Sequence, residues 1–428
     1  MSEKSKINVV TLGCPKNIVD SEYLLGQLKH SNIQLVANAD DADTVVINTC
    51  GFIKDAKRES IDAIMEAVGK KNRGELKKIV VMGCLAERFK KELAAEIPEV
   101  DSYFGTNQLR DVLKDLDVDY KSELLGERFL TTPNHFAYLK ISEGCDNPCS
   151  FCAIPLMRGQ HRSKPIGEVV HEARLLAEKG VKELIVIAQD TTYYGLDLYG
   201  ERRLAKLLGE LNDIDEIKWI RLMYAYPAKF PSDVIEAFQK FPKLCRYIDI
   251  PIQHNSDSVL KSMRRGATER STRDLLLRFK SEIHGVALRT TLIVGYPNET
   301  EDDSKALCDF VKEMRFHRLG VFTYSKEEGT AAFELDDSVS EEIKLERQAA
   351  IMEIQKDISE QYNKSLIGKT VKVLIDSQDG EFFMGRTEWD APEIDQEVFV
   401  SSRQPLKIGT FHEVTITDAV EYDLFASV

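Results

Sequence analysis

Along the first hundred residues, the spacing of apolar positions alternates between two periods. Lys6-Ile-Asn-Val-Val-Thr-Leu12 is an apolar run that ends at Gly13-Cys14 and predicts a strand. Asp20-Ser-Glu-Tyr-Leu-Leu-Gly-Gln-Leu28 then has helical spacing, with Asp20 as its expected N-cap. The unit repeats as Thr44–Thr49, Cys50-Gly51 and a helix through about Val68, then as Lys78–Met82, Gly83-Cys84 and another helix. Residues 121–133 interrupt the pattern and read as a linker. A second series follows, with strands expected at Phe136–Ile141, Glu183–Ala188, Lys218–Met223, Arg246–Ile250, Leu288–Val294 and Arg318–Thr323. Helices lie between them, for example Ile166–Glu178 with Gly180 as its stop. Six such units make a partial (β/α)6 relative of the eight-fold α/β barrel. From Ser340 a charged helix runs to about Leu366. The short strand-like runs Thr370–Ile375, Gln396–Val400 and Thr410–Thr417 then predict a small closed β-barrel. The expected architecture is therefore α/β: an open parallel domain over 1–120, a partial barrel over 134–362 and a β-barrel over 363–428.

Composition narrows the class. The 428 residues are 43% hydrophobic and 30% charged, as in an ordinary globular protein. The chain has no apolar window of about 18 residues, and Met1–Ile7 has no signal-peptide core, so a cytoplasmic protein without a membrane partner is expected. Its eight cysteines then read as metal ligands rather than disulfides. A net charge of −14 argues against broad attraction to nucleic acid phosphates.

The cysteines carry the candidate chemistry. Cys145, Cys149 and Cys152 form a C-x3-C-x2-C run on the Gly/Asn/Pro-rich loop after the first strand of the second series. Three thiolates so placed can hold three irons of a 4Fe-4S cluster, leaving the fourth iron open to the amino and carboxylate groups of S-adenosylmethionine (SAM). The loop resembles the cluster loop of radical SAM enzymes, including Phe151 just before the last cysteine. A zinc site would want a fourth ligand, and the nearest, His161, lacks a paired ligand. Cys14, Cys50 and Cys84 each stand at the carboxyl end of a predicted parallel strand, where ligands of open α/β sheets bind. They are expected to converge as a second cluster site; the competing reading is three unrelated buried cysteines. Strand-end loops offer Gln189 and Asp190, Gln253, and Gly295 as SAM contacts, although Gln189 or His254 could equally be loop supports. Cys245 and Cys308 fall within elements and read as core. No acid or base catalyst is evident.

Two cysteine triads followed by a small β-barrel are similar to the methylthiotransferase family of radical SAM enzymes, over essentially the whole chain. Leu12-Gly-Cys-Pro-Lys-Asn-Ile-Val-Asp-Ser-Glu22, Gln189-Asp-Thr-Thr-Tyr-Tyr-Gly195 and Gly385-Arg-Thr-Glu-Trp-Asp-Ala-Pro-Glu-Ile-Asp395 resemble the branch acting on ribosomal protein S12. Ser163-Lys164-Pro165 departs from the family's usual Ser-Arg-Pro and loses a bidentate fork. The resemblance implies a TRAM-type C-terminal barrel and two 4Fe-4S clusters. It also implies SAM cleavage at the Cys145 cluster, hydrogen abstraction from the β-carbon of an aspartate, and sulfur delivery at the Cys14 cluster. SAM would also donate the methyl group, and a low-potential electron donor is implied. The rivals are a tRNA adenosine methylthiotransferase and a two-cluster electron carrier. Residues 366–428 hold five Lys/Arg against twelve Asp/Glu, a net charge of −7. A barrel so charged is expected to repel tRNA and suit a basic partner.

Overall fold

The computed structural model describes residues 5–428. Strands β1 (Lys6–Thr11), β2 (Gln34–Leu35), β3 (Thr44–Thr49), β4 (Lys78–Gly83) and β5 (Ser102–Phe104) form one parallel sheet in the order β2-β1-β3-β4-β5. Every residue of β3 is buried, because helices cover both faces of the sheet. Val45 and Ile47 pack into the cluster on one face, and Val46 into the cluster on the other.

Helices α1 (Pro15–Lys29), α2 (Lys54–Asn72) and α3 (Cys84–Glu96) follow β1, β3 and β4. Asp20 does not cap α1. The helix starts directly after Cys14, since the fixed φ of Pro15 suits the first helical position. Cys14 takes the N-cap place and makes no side-chain cap bond. Asp20 lies one turn in, where its carboxylate takes Arg158 at 2.6 Å and also Lys140.

Residues 121–133 contain one 3₁₀ turn, Ser122–Leu124, but they are more than a spacer. Arg128 is buried between Glu22 (2.5 Å) and Glu172 (2.8 Å), so this segment straps α1 to the central unit. A buried cation of this kind is tolerable only because both partners are in place.

The central unit is a six-stranded parallel sheet in the order β13-β12-β11-β10-β9-β6, open between its edge strands. Its members are β6 (Phe136–Lys140), β9 (Glu183–Ile187), β10 (Trp219–Leu222), β11 (Leu244–Asp249), β12 (Ala287–Val294) and β13 (Arg318–Thr323). Strands β7 (Ser142–Glu143) and β8 (Arg162–Ser163) pair as a short ribbon that closes the base of the Cys145 loop. Helix Ile166–Glu178 has the expected bounds, with Gly180 at φ +100° just beyond it. Cys245 is buried in β11, whereas Cys308 is only half-buried on helix Glu301–Met314.

Helix Glu341–Lys364, capped by Ser340, leads to β14 (Thr370–Asp379), β15 (Phe382–Arg386), β16 (Val398–Ser401), β17 (Phe411–Ala419) and β18 (Leu424–Ser427). These close into a barrel in the order β14-β15-β16-β18-β17. Leu374 and Ala391 of this barrel share one apolar cluster with Val19 of α1 and with Phe136, Ile185 and Tyr247 of the central sheet. The small barrel thus docks onto the central sheet. Among the described residues, no helix is long and apolar enough to cross a membrane.

Candidate active site

Both cysteine triads open on one cavity of about 640 Å³. The first is assembled at the carboxyl ends of β1, β3 and β4. Gly13 and Gly83 make that possible. A Cβ on Gly13, at φ +89°, would sit 2.9 Å from the Cys50 sulfur. One on Gly83, at φ +101°, would sit 2.4 Å from Asn48 Oδ1. Only glycine lets the three strand ends close up. Asn17 then ties them together: its Nδ2 donates to the carbonyls of Leu12 (2.7 Å) and Thr49 (3.1 Å), and its Oδ1 lies 3.7 Å from the Cys84 sulfur. Cys14 at the N-cap of α1 and Cys84 at the first position of α3 place two helix N-termini on this triad, which favours anionic sulfur.

The second triad lies on the loop after β6. Asn147 Nδ2 sits 3.5 Å from the Cys145 sulfur and 2.8 Å from Asp190 Oδ2. Arg265 Nη1 donates toward the Cys149 sulfur at 3.4 Å, its guanidinium lies 4.2 Å from the Tyr226 ring centre, and it also bonds the Pro251 carbonyl. Burial pushes Cys145 up to about 11, and Cys84 and Cys152 up to about 12. Metal binding must therefore release protons here, helped by the nearby cations.

The donor set fits iron–sulfur clusters. Six thiols in two separate threes face a common space with apolar walls, formed in part by Phe52, Ile53, Phe151, Ile154 and Met223. Among the described residues no three His, Cys, Asp or Glu side chains converge on a single ion. Three thiols to a site, with no fourth protein ligand beside them among the described residues, suit a cubane with one open iron better than a structural zinc, which takes four. His161 is turned to Ser163 Oγ at 3.0 Å and lies outside the cavity.

Of the proposed SAM contacts, Gln189 and Gln253 line the cavity. Asp190 and Gly295 do not. The Asp190 carboxylate is taken by Thr192 (2.9 and 2.7 Å) and Asn147, so it holds the loop from behind. Gly295 faces away, toward helix Glu341–Lys364: a Cβ there would lie 2.1 Å from Lys344 Cγ, and its N–H is bound by Glu299. His254 is a loop support, accepting from the Ser256 N–H at 3.0 Å. The sequence reading missed Lys16, Arg158, Arg265 and Glu393 of the cavity lining. Lys16 and Glu393 stood in stretches that carry the family resemblance, Lys16 two residues from Cys14. Burial lowers the Lys16 ammonium to about 8.

Three family models match the chain: Uncharacterized protein family UPF0004 over 6–105, Radical SAM superfamily over 139–311, and TRAM domain over 367–428. Among solved structures, the radical SAM methyltransferase TsrM from Kitasatospora setae is 14% identical with a TM-score of 0.55 over 77% of each chain. The cobalamin-dependent radical enzyme OxsB is 15% identical with a TM-score of 0.53 over 82% of this chain and 56% of its own. Those likenesses concern the fold. Curated relatives named ribosomal protein uS12 methylthiotransferase RimO are far nearer. The protein from Christiangramia forsetii is 55% identical over 99% of this chain and 94% of its own length. That from Cytophaga hutchinsonii is 52% identical over 100% and 98%. The chain belongs to this methylthiotransferase family. As a member it is a radical SAM transferase whose cofactors are SAM and 4Fe-4S clusters. The methylthiotransferase fold here joins an α/β domain, a radical SAM sheet and a TRAM barrel, and the barrel's Pro392, Glu393 and Ile394 complete the cavity wall.

Proposed function

We propose that the protein adds a methylthio group to the β-carbon of an aspartate in ribosomal protein uS12. Cys145, Cys149 and Cys152 hold one 4Fe-4S cluster, and Cys14, Cys50 and Cys84 hold the other. When bound, SAM and the two clusters supply the radical, the methyl group and the sulfur. The chain's own part is to hold, orient and shield. Gln189 and Gln253 offer polar contacts to SAM beside the Cys145 loop. Gln189 is oriented by donating to Glu143 Oε1 at 2.7 Å. Ile53, Ile154 and Met223 keep water from the reacting centre, where it would quench or divert a reactive intermediate.

The observation that carries this reading is that both triads open on one cavity. An electron carrier has no need of such a space, whereas a substrate side chain brought between two clusters does. The proposed setting is the cytoplasm, with a low-potential electron donor and with uS12 rather than tRNA as substrate. The test is to incubate the anaerobically reconstituted protein with SAM, dithionite and either uS12 or tRNA, followed by mass analysis of both. Methylthiolated aspartate in uS12 is expected. Modified adenosine with unmodified uS12 would overturn the assignment.

A further inference from the structure

Four charged side chains line the cavity: Lys16, Arg158, Arg265 and Glu393. Three have partners. Arg158 is held by Asp20, Glu143 and Asn17. Arg265 is held by the Cys149 sulfur and the Pro251 carbonyl. Glu393 accepts from Tyr138 Oη at 3.3 Å. Lys16 differs. It is only 8% exposed, yet among the described residues its ammonium has neither a hydrogen-bond acceptor nor an ion-pair partner. Its Nζ rests 3.0 Å from the centre of the Tyr224 ring. The nearest carboxylates are committed elsewhere: Asp249 to Arg289 (2.8 Å) and the Tyr224 N–H (3.0 Å), Glu143 to Lys140 (2.6 Å) and Arg158. A largely buried cation resting on an aromatic face, with no acceptor of its own, is under-satisfied, and an anionic ligand entering the cavity would complete it.

We propose that Lys16 binds the carboxylate of the aspartate that is modified, and so sets which substrate side chain the cavity accepts. The inference rests on the function proposed above, in which that side chain is an aspartate. A carboxylate entering apolar walls must give up its hydration, and a charge-assisted hydrogen bond to an ammonium offsets that loss. The β-carbon is bonded directly to the carboxylate carbon. Clamping the carboxylate therefore fixes the β-carbon one bond away, within the cavity that both triads line. Lys16 follows Cys14 by two residues on the first turn of α1, so the clamp and the N-terminal triad are positioned by the same helix start.

The test compares binding of intact uS12, and of uS12 carrying asparagine at the target position, to SAM-loaded holoenzyme with Lys16, Lys16→Met or Lys16→Arg. Wild type should prefer the aspartate form by at least about tenfold, the worth of one charge-assisted bond. Lys16→Met should bring that ratio close to one, and Lys16→Arg should keep most of it. Because the ratio is taken within one protein, partial loss of fold or of cluster leaves it unchanged. A wild-type ratio in Lys16→Met overturns the proposal. That includes the case where SAM affinity or the reduction of the N-terminal cluster changes instead, which would assign Lys16 to those groups. Failure of the function itself shows separately, as wild-type holoenzyme that leaves uS12 unmodified, and that result removes the clamp as well.

Discussion

Asn17 does more for the site than its single amide suggests. Fully buried, it joins the end of β1, the end of β3 and the start of α3, and it accepts from Arg158. Asn17→Ala would leave two carbonyls and part of a guanidinium without partners, a cost of about 3 kcal/mol. The expected outcome is a lower thermal midpoint and selective loss of the N-terminal cluster, with iron falling from about eight to about four per chain. Iron and sulfide assays on the reconstituted variant check this; full iron retention would deny Asn17 its organising part. At this scale the sequence was readable where chemistry is local. The six cysteines stood out because each sits at a strand end or in one short loop. Asn17 and Lys16 lie in the stretch Leu12–Glu22, which marks the family but does not show what either side chain touches. Arg265 gave no signal, since its contact with Cys149 spans 116 residues.

The elements were legible where apolar runs were long. Strands β3 and β13 and helix Ile166–Glu178 have the bounds that periodicity gives. The start of α1 was misplaced because Asp20 looked like a cap while Pro15 carried the true signal. Strands β15 and β18 carried no expectation, although β16, also four residues long, did. Charge misled more. Of the twelve acids in the C-terminal barrel, Asp376, Asp390 and Asp395 pair with Arg386, Arg318 and Arg289, and Glu388 bonds the Arg246 N–H. Asp379, Glu381, Glu393, Glu397, Glu413 and Asp418 are exposed, so the acids divide between the junction with the radical SAM sheet and an acidic outer surface. Arg386 forks between Glu183 (2.9 Å) and Asp376 (2.7 Å) at this junction. Arg386→Ala should cost about 3–5 kcal/mol, because it strands buried carboxylates. Denaturant unfolding should show the barrel losing its coupling to the central sheet. A single unchanged transition would contradict that role.

At the scale of the whole molecule, three units meet around one cavity. Buried ion pairs fasten them: Arg128 with Glu22 and Glu172, Arg88 with Glu327, and Arg386 with Glu183, with the half-buried Lys57 also on Glu327. None of these pairings follows from sequence periodicity, because each links residues from separate units. The proposed function divides the work between two triads that share one space. The most direct test compares two triple variants after anaerobic reconstitution, measuring iron, 5′-deoxyadenosine and methylthiolated uS12. Cys145, Cys149 and Cys152 all to Ala should abolish 5′-deoxyadenosine. Cys14, Cys50 and Cys84 all to Ala should keep about four irons and 5′-deoxyadenosine formation while making no methylthiolated uS12. Methylthiolated uS12 from that second variant would contradict the account.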